Sequence, residues 1–200
     1  MIRLGVLLSG RGSNFLAIQE AVACGELPAE IALVASDRPE APGLARAREL
    51  GLPAVALPVL GDRAAQEGKL LAALQGAGVE WVCLAGYMRV LSPAFLAAFR
   101  ERVLNIHPSL LPAFPGRNAQ RQALEHGVKV SGCTVHLVDA GVDSGPIVVQ
   151  RAVPVREDDS VETLAARILE QEHRAYPEAL RRLLGEPWRL QGRKVVFEGE

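Results

Sequence analysis

The chain has 200 residues, 49% of them hydrophobic, which is enough for one sizeable core; nothing in the middle reads as a linker, so a single domain over 1–200 is expected. Lysine and arginine number 22 against 23 acids, a net charge of −1, which leaves no basic field for a nucleic-acid backbone or an anionic membrane and points to small-molecule partners. Cys24, Cys83 and Cys133 are odd in number, far apart and without C-x-x-C spacing, which argues against both a disulfide frame and a zinc site. With no leader-like start and no apolar run of about 18 residues, a soluble cytoplasmic protein is expected.

Short apolar runs alternate with helical stretches in the first half. Strands are predicted near Ile2–Leu8, Ile31–Ser36, Val55–Leu57 and Trp81–Leu84, with helices at Asn14–Cys24, Gly43–Leu50 and Arg63–Gln75 between them. This alternation predicts parallel βαβ units, hence an α/β, Rossmann-like fold with a mostly parallel sheet and helices on both faces. A short helix at Pro93–Phe99 precedes a strand ending at His107. A Pro/Gly-rich segment, Pro108–Gly116, leads to a helix around Arg121–His126 and strands at Gly132–Val138 and Ile147–Val155. A long helix from Val161 to Leu184, which Pro177 is expected to bend or break, precedes a small hairpin at Gln191–Gly192. There is no internal repeat and no low-complexity segment.

Directly after the first strand, Ser9-Gly10-Arg11-Gly12-Ser13-Asn14 opens a helix whose apolar face is Phe15, Ile18 and Val22. Glycines let a backbone approach a phosphate, and a helix's first free N–H groups hold its charge, so Gly12, Ser13 and Asn14 are a candidate phosphate site. The plain alternative is that Ser13 or Asn14 only caps the helix. Phe15 stands where a dinucleotide fingerprint needs its third glycine, which favours a mononucleotide-type ligand over NAD. Asp37 after the second strand nevertheless keeps a ribose contact open.

In an extended strand Asn105 and His107 share a face, and Pro108 ends the pairing beside them. An Asp-Ser-Gly-Pro turn at Asp143–Pro146 supplies a carboxylate. Amide, imidazole and carboxylate are the parts needed to stabilise an oxyanion and move a proton, since a carboxylate beside an imidazole favours the imidazolium; acyl or formyl transfer is the expected chemistry. The alternatives are a structural histidine at 107, an Asx-turn at Asp143, and a metal site of His107, His136 and Asp143, which no short ligand spacing supports. Ser109 has no nucleophile-elbow glycines, and His126 and His173 read as helix-surface residues.

On the long helix Leu164, Ile168 and Glu172 follow at i, i+4, with Tyr176 next, which sets a carboxylate on the buried stripe. It needs a partner there, either a substrate hydroxyl or amine or a neighbouring arginine. Arg167, Glu170, Arg174, Arg181 and Arg182 read as a solvated face.

Four stretches together carry a resemblance. They are Ser-Gly-Arg-Gly-Ser-Asn after strand one, Leu-Ala-Gly-Tyr-Met-Arg-Val-Leu-Ser-Pro at 84–93, Asn-Ile-His-Pro-Ser-Leu-Leu-Pro at 105–112, and Asp-Ser-Gly-Pro at 143–146. Over nearly its whole length the chain resembles the phosphoribosylglycinamide formyltransferases, the folate-dependent enzymes of early purine synthesis. The third stretch is shared with other folate formyltransferases and a formyl-folate hydrolase. The Gly-Ser-Asn loop and the compact chain favour the purine enzyme. The resemblance implies a formyltransferase-type fold, with a phosphate-binding half at 1–100 and a catalytic, folate-binding half at 101–200. It implies 10-formyltetrahydrofolate as co-substrate, phosphoribosylglycinamide as acceptor, no metal, no covalent enzyme intermediate, and a monomer or homodimer. By position, Asn105, His107 and Asp143 match the catalytic residues. Gly12, Ser13 and Asn14 match the phosphate site and Glu172 the ribose or glycinamide contact. Arg63, Met88, Arg89, Val90, Leu91 and the loop Asp139, Ala140, Gly141, Val142, Asp143 match the folate contacts. The chain departs from relatives at Arg117-Asn118-Ala119-Gln120, where some have Leu-His-x-His, and at Leu169, where some have a polar residue.

Overall fold

The computed structural model describes residues 1–59 and 61–198, in two compact units, Met1–Leu104 and Asn105–Glu200. In the first unit, strands β1 (Ile2–Leu8), β2 (Ala29–Ser36), β3 (Ala54–Ala56) and β4 (Trp81–Leu84) stand in the order β3-β2-β1-β4, every one of these pairs parallel. Parallel neighbours need a crossover, and α1 (Ser13–Ala23), α2 (Pro42–Glu49) and α3 (Arg63–Gly76) supply it. The expected βαβ alternation is what forms, with boundaries shifted by one or two residues. Strands β1 and β4 read as continuous apolar runs because they are buried: Leu4, Val6, Leu7, Leu8, Val82 and Cys83 have essentially no exposure. Phe15 of α1, also fully buried, stabilises the unit by about 1.5–3 kcal/mol relative to an exposed ring. The unit closes with α4 (Pro93–Ala98), capped by the Ser92 hydroxyl, which accepts from Phe95 N–H at 3.2 Å.

Strand β5 (Val103–His107) gives its first two residues to the first unit and its last three to the second, where they lie beside β6 (Val130–Leu137). After α5 (Ala119–Glu125), β6 pairs antiparallel with β7 (Ile147–Pro154). Beyond β7 comes the hairpin of β8 (Trp188–Gln191) and β9 (Lys194–Phe197), β9 meeting β7 in parallel at Ile147 and Lys194.

Helix α6 (Val161–Gly185) packs on β6 and β7. It starts at a reciprocal capping box, in which the Ser160 hydroxyl accepts from Thr163 N–H at 3.2 Å and the Thr163 hydroxyl accepts from Ser160 N–H at 2.9 Å. Of the two outcomes expected at Pro177, a bend or a break, the break does not occur. Proline removes one i→i−4 bond, a cost of about 3 kcal/mol, but burial of Leu164, Ile168, Tyr176, Leu180 and Leu183 along one face outweighs that loss. Two of the charges expected on a solvated face are also engaged: Arg167 grips Asp159 with both guanidinium nitrogens at 2.7 and 2.8 Å, and Arg182 stacks over Phe197 at 3.8 Å. Glu170, Arg174 and Arg181 are exposed as expected.

Candidate active site

At the end of β5, alternation turns Asn105 and His107 to one face, and side chains from β6 and the β6–β7 turn meet them. Asn105 Nδ2 lies 3.2 Å from His136 Nε2, and His136 Nδ1 lies 3.0 Å from the Leu137 carbonyl. A carbonyl can only accept, so the network assigns the His136 proton to Nδ1 and leaves Nε2 to accept from the Asn105 amide. His107 Nδ1 is 3.2 Å from Asp143 Oδ2, and its Nε2 is 2.8 Å from the Phe114 carbonyl oxygen. Both ring nitrogens therefore face acceptors, the bonding pattern of an imidazolium, which donates from both. The His107 side chain is 6% exposed and that of Asp143 13%, so water screens the pair little.

Asp143 is not closing an Asx-turn. Its Oδ2 accepts from Gly116 N–H at 2.8 Å and faces His107, while Oδ1 stands 3.7 Å from His136 Nε2, beyond hydrogen-bond reach. Burial pushes its carboxyl up; the Gly116 N–H and the facing His107 imidazolium outweigh that and hold it below the usual carboxylate range. The Asx role belongs to Asp139, whose Oδ1 accepts from Gly141 N–H at 3.0 Å and the Ser144 hydroxyl at 2.6 Å, shaping a turn in which Ala140, Gly141 and Val142 are exposed. Only glycine fits at 145, since a Cβ there would lie 1.7 Å from the Leu137 carbonyl oxygen.

The segment after His107 is fixed from below. Fully buried Ser109 donates to the Ala113 carbonyl at 2.5 Å, which leaves it no nucleophile's role. The Thr134 hydroxyl donates to the Ser109 carbonyl at 2.7 Å and accepts from Leu111 N–H at 3.0 Å, and the Leu111–Pro112 peptide is cis.

In the first unit no side chain caps α1. Gly12 itself is the N-cap, in the left-handed region at φ 74°, so the capping alternative for Ser13 and Asn14 is set aside. A Cβ at Gly12 would stand 3.0 Å from Gly43 Cα, so both the conformation and the close approach require glycine. Ser13 and Asn14 form the first turn, which carries no acidic residue to repel an anion. One oxygen of Asp37, Oδ1, accepts from the Ser9 hydroxyl at 2.6 Å. Of the residues matched to folate contacts, Arg63, Arg89, Val90 and Leu91 line one cavity together with Asp37, Leu57 and Tyr87; Arg63 donates to the Val90 carbonyl, and Met88 and Val90 are exposed. Burial, with Asp37 and Glu67 nearby, pushes the Tyr87 hydroxyl up to about 12 despite Arg89.

A family model described as "Formyl transferase" matches residues 2–180. The chain belongs to the formyl transferase family. It is 42% identical to the phosphoribosylglycinamide formyltransferase of Bacillus subtilis (strain 168), over 92% of this chain and 96% of that one. A crystal structure of glycinamide ribonucleotide transformylase 1 from Symbiobacterium toebii superposes with a TM-score of 0.96 at 54% identity, covering 98% of this chain and 94% of the other. The chain is also 46% identical, over 91% of its length, to the trifunctional purine biosynthetic protein adenosine-3 of Drosophila melanogaster, of which it spans only 14%. Its fold is that of the family: α/β, Rossmann-like, with a mostly parallel sheet and helices on both faces.

Within this family framework Glu172 sits as its helical spacing predicts, on the buried stripe of α6 at 7% exposure. Its charge helps burial raise the Cys133 thiol to about 12. His173, expected at the surface, is half-buried, and burial lowers it; His126 is exposed as expected. Among the described residues no three His, Cys, Asp or Glu side chains form a cluster able to hold a metal ion. Sequence reasoning met His136 only as a metal-ligand candidate and missed its bond to Asn105. The available signal was an ionisable residue inside the apolar run of β6, which must find a partner when buried. The Phe114 carbonyl and the Gly116 N–H had no such signal, because backbone groups carry no residue-type mark.

Proposed function

We propose that the chain transfers the formyl group of 10-formyltetrahydrofolate to the amine of 5'-phosphoribosylglycinamide, a step of de novo purine biosynthesis. One observation carries the reading: Asn105, His136, Asp143 and His107 form a continuous cluster in which an amide and an imidazolium are braced as donors. The neutral amine attacks the formyl carbon, and the carbonyl π pair moves to oxygen. Asn105 Nδ2 and His107 Nε2 meet that oxyanion, which takes the acceptor position that the Phe114 carbonyl holds at 2.8 Å from His107. Asp143 keeps the imidazole charged and relays the amine proton through water towards folate N10. The bond from N10 to the formyl carbon then breaks, leaving tetrahydrofolate and the formylated amide, so that atoms and charge balance.

Gly12, Ser13 and Asn14 hold the acceptor's phosphate, where a left-handed glycine opens the helix N-terminus. Glu172 takes its ribose or glycinamide end. Arg63, Met88, Arg89, Val90, Leu91 and residues 139–143 hold the folate. The same reading takes the protein as cytoplasmic and as a monomer or homodimer. The test is an absorbance assay of tetrahydrofolate release with and without phosphoribosylglycinamide. Acceptor-dependent turnover is expected. Formate release at the same rate without acceptor would replace this reading with hydrolysis, and thermal stabilisation by NAD instead of either substrate would replace it with dinucleotide binding.

A further inference from the structure

One buried hydroxyl in the first unit joins the loops that the preceding section gives to different substrates. Ser9, at 3% exposure, is the residue just before the Gly10–Asn14 loop. Its hydroxyl donates to Asp37 Oδ1 at 2.6 Å and accepts from Met88 N–H at 3.0 Å, and its own N–H donates to the Gly86 carbonyl at 3.1 Å. An amide can only donate and a carboxylate only accept, so the hydroxyl's proton has a single orientation that serves both partners. Asp37, with its side chain 10% exposed, turns its other oxygen to 4.0 Å from Arg89 Nε. The phosphate loop is anchored on its far side as well, where Gly43 N–H donates to the Gly10 carbonyl at 3.0 Å.

We propose that Ser9 and Asp37 are positioning residues that set the register of the Gly86–Val90 loop against the start of the phosphate loop, fixing the donor-binding loop before the formyl-folate arrives. A loop whose backbone is already set loses less freedom on binding, so the effect falls on donor affinity and not on the chemical step. The inference rests on the assignment of Met88 to Leu91 to the folate.

The decisive variant is Ser9→Ala in the full chain. Loss of two buried hydrogen bonds is expected to raise the donor KM about tenfold, with kcat and its pH profile within about twofold of wild type. Ser9→Cys keeps the side chain's place but substitutes a weaker donor and acceptor for the hydroxyl, so a donor KM raised roughly threefold at unchanged kcat is expected. That variant carries the test alone if Ser9→Ala does not fold. A donor KM equal to wild type in the folded variants, or a fall in kcat at constant KM, overturns the proposal. If the wild type binds formyl-folate but transfers nothing to phosphoribosylglycinamide, the proposed function fails separately. Calorimetric affinity for formyl-folate then decides, about tenfold weakening in Ser9→Ala supporting the joint and equal affinity overturning it. A wild type that binds no folate overturns both.

Discussion

In the first unit the Gly10–Asn14 loop presents backbone, held open by one glycine in the left-handed region and braced by the backbone of Gly43 at the start of α2. In the second unit the strand end at His107 presents side chains, and their side-chain partners come from residues 31 and 36 positions away in sequence, at the Asn105–His136 and His107–Asp143 contacts. A backbone site depends on conformation, so it tolerates changes of residue type that keep φ. A side-chain cluster depends on every member, because removing one leaves another buried without a partner.

The largest effect that would sharpen this contrast is at the side-chain cluster. His107→Ala and Asp143→Ala are each expected to lower kcat about 10²- to 10³-fold, in line with the roughly 3 to 4 kcal/mol lost with an oxyanion donor, while far-ultraviolet circular dichroism stays that of wild type. Near wild-type turnover in either variant removes that residue from the mechanism. His136→Ala leaves the Asn105 amide without its acceptor, and a fall in kcat of about tenfold is expected from steady-state assay. An unchanged kcat would show that Asn105 is held by something other than His136.

The backbone site should break differently. Gly12→Ala forces a Cβ into the left-handed region and against Gly43, which is expected to destabilise the protein by about 1–2 kcal/mol in urea denaturation and to raise KM for the phosphorylated acceptor more than it lowers kcat. A variant that loses kcat alone would join the loop to the chemistry and erase the distinction. The smallest effect is one of pH. The Asp143 carboxyl is held below its ordinary value of 3.8, so its contribution to stability is fully present above that value and is lost as pH falls through the depressed folded value. The stability difference between wild type and Asp143→Asn, read by urea denaturation, is therefore expected to shrink below about pH 4 and to be flat between about pH 5 and 7. A difference that persists undiminished at the acid end of the titration would reverse the sign assigned to the Asp143 carboxyl.

Much of this was readable from residue order. Apolar runs separated by amphipathic stretches set the alternation of strands and helices, the i, i+4 stripe put Glu172 inside, and the period of two set Asn105 and His107 on one face, since each of these is a local periodicity that the backbone imposes on any chain. Whether Pro177 breaks α6 was not legible locally, because one missing hydrogen bond is a local rule and the helix's continuation is decided by everything packed against it. The Asx-turn was open at Asp143 and is made by Asp139, because either aspartate has the side chain for it and only the fold says which one has another partner.

Residue types and spacing alone determined the α/β fold, the glycine-opened loop after the first strand and the candidate trio. Tertiary structure alone decided that His136 braces Asn105, that the Phe114 carbonyl and Gly116 N–H close on His107 and Asp143, and that Asp37 accepts from the Ser9 hydroxyl. The physical reason is that hydrogen bonds between distant residues follow from where the packed chain brings donors and acceptors within about 3 Å, and no local pattern encodes that distance.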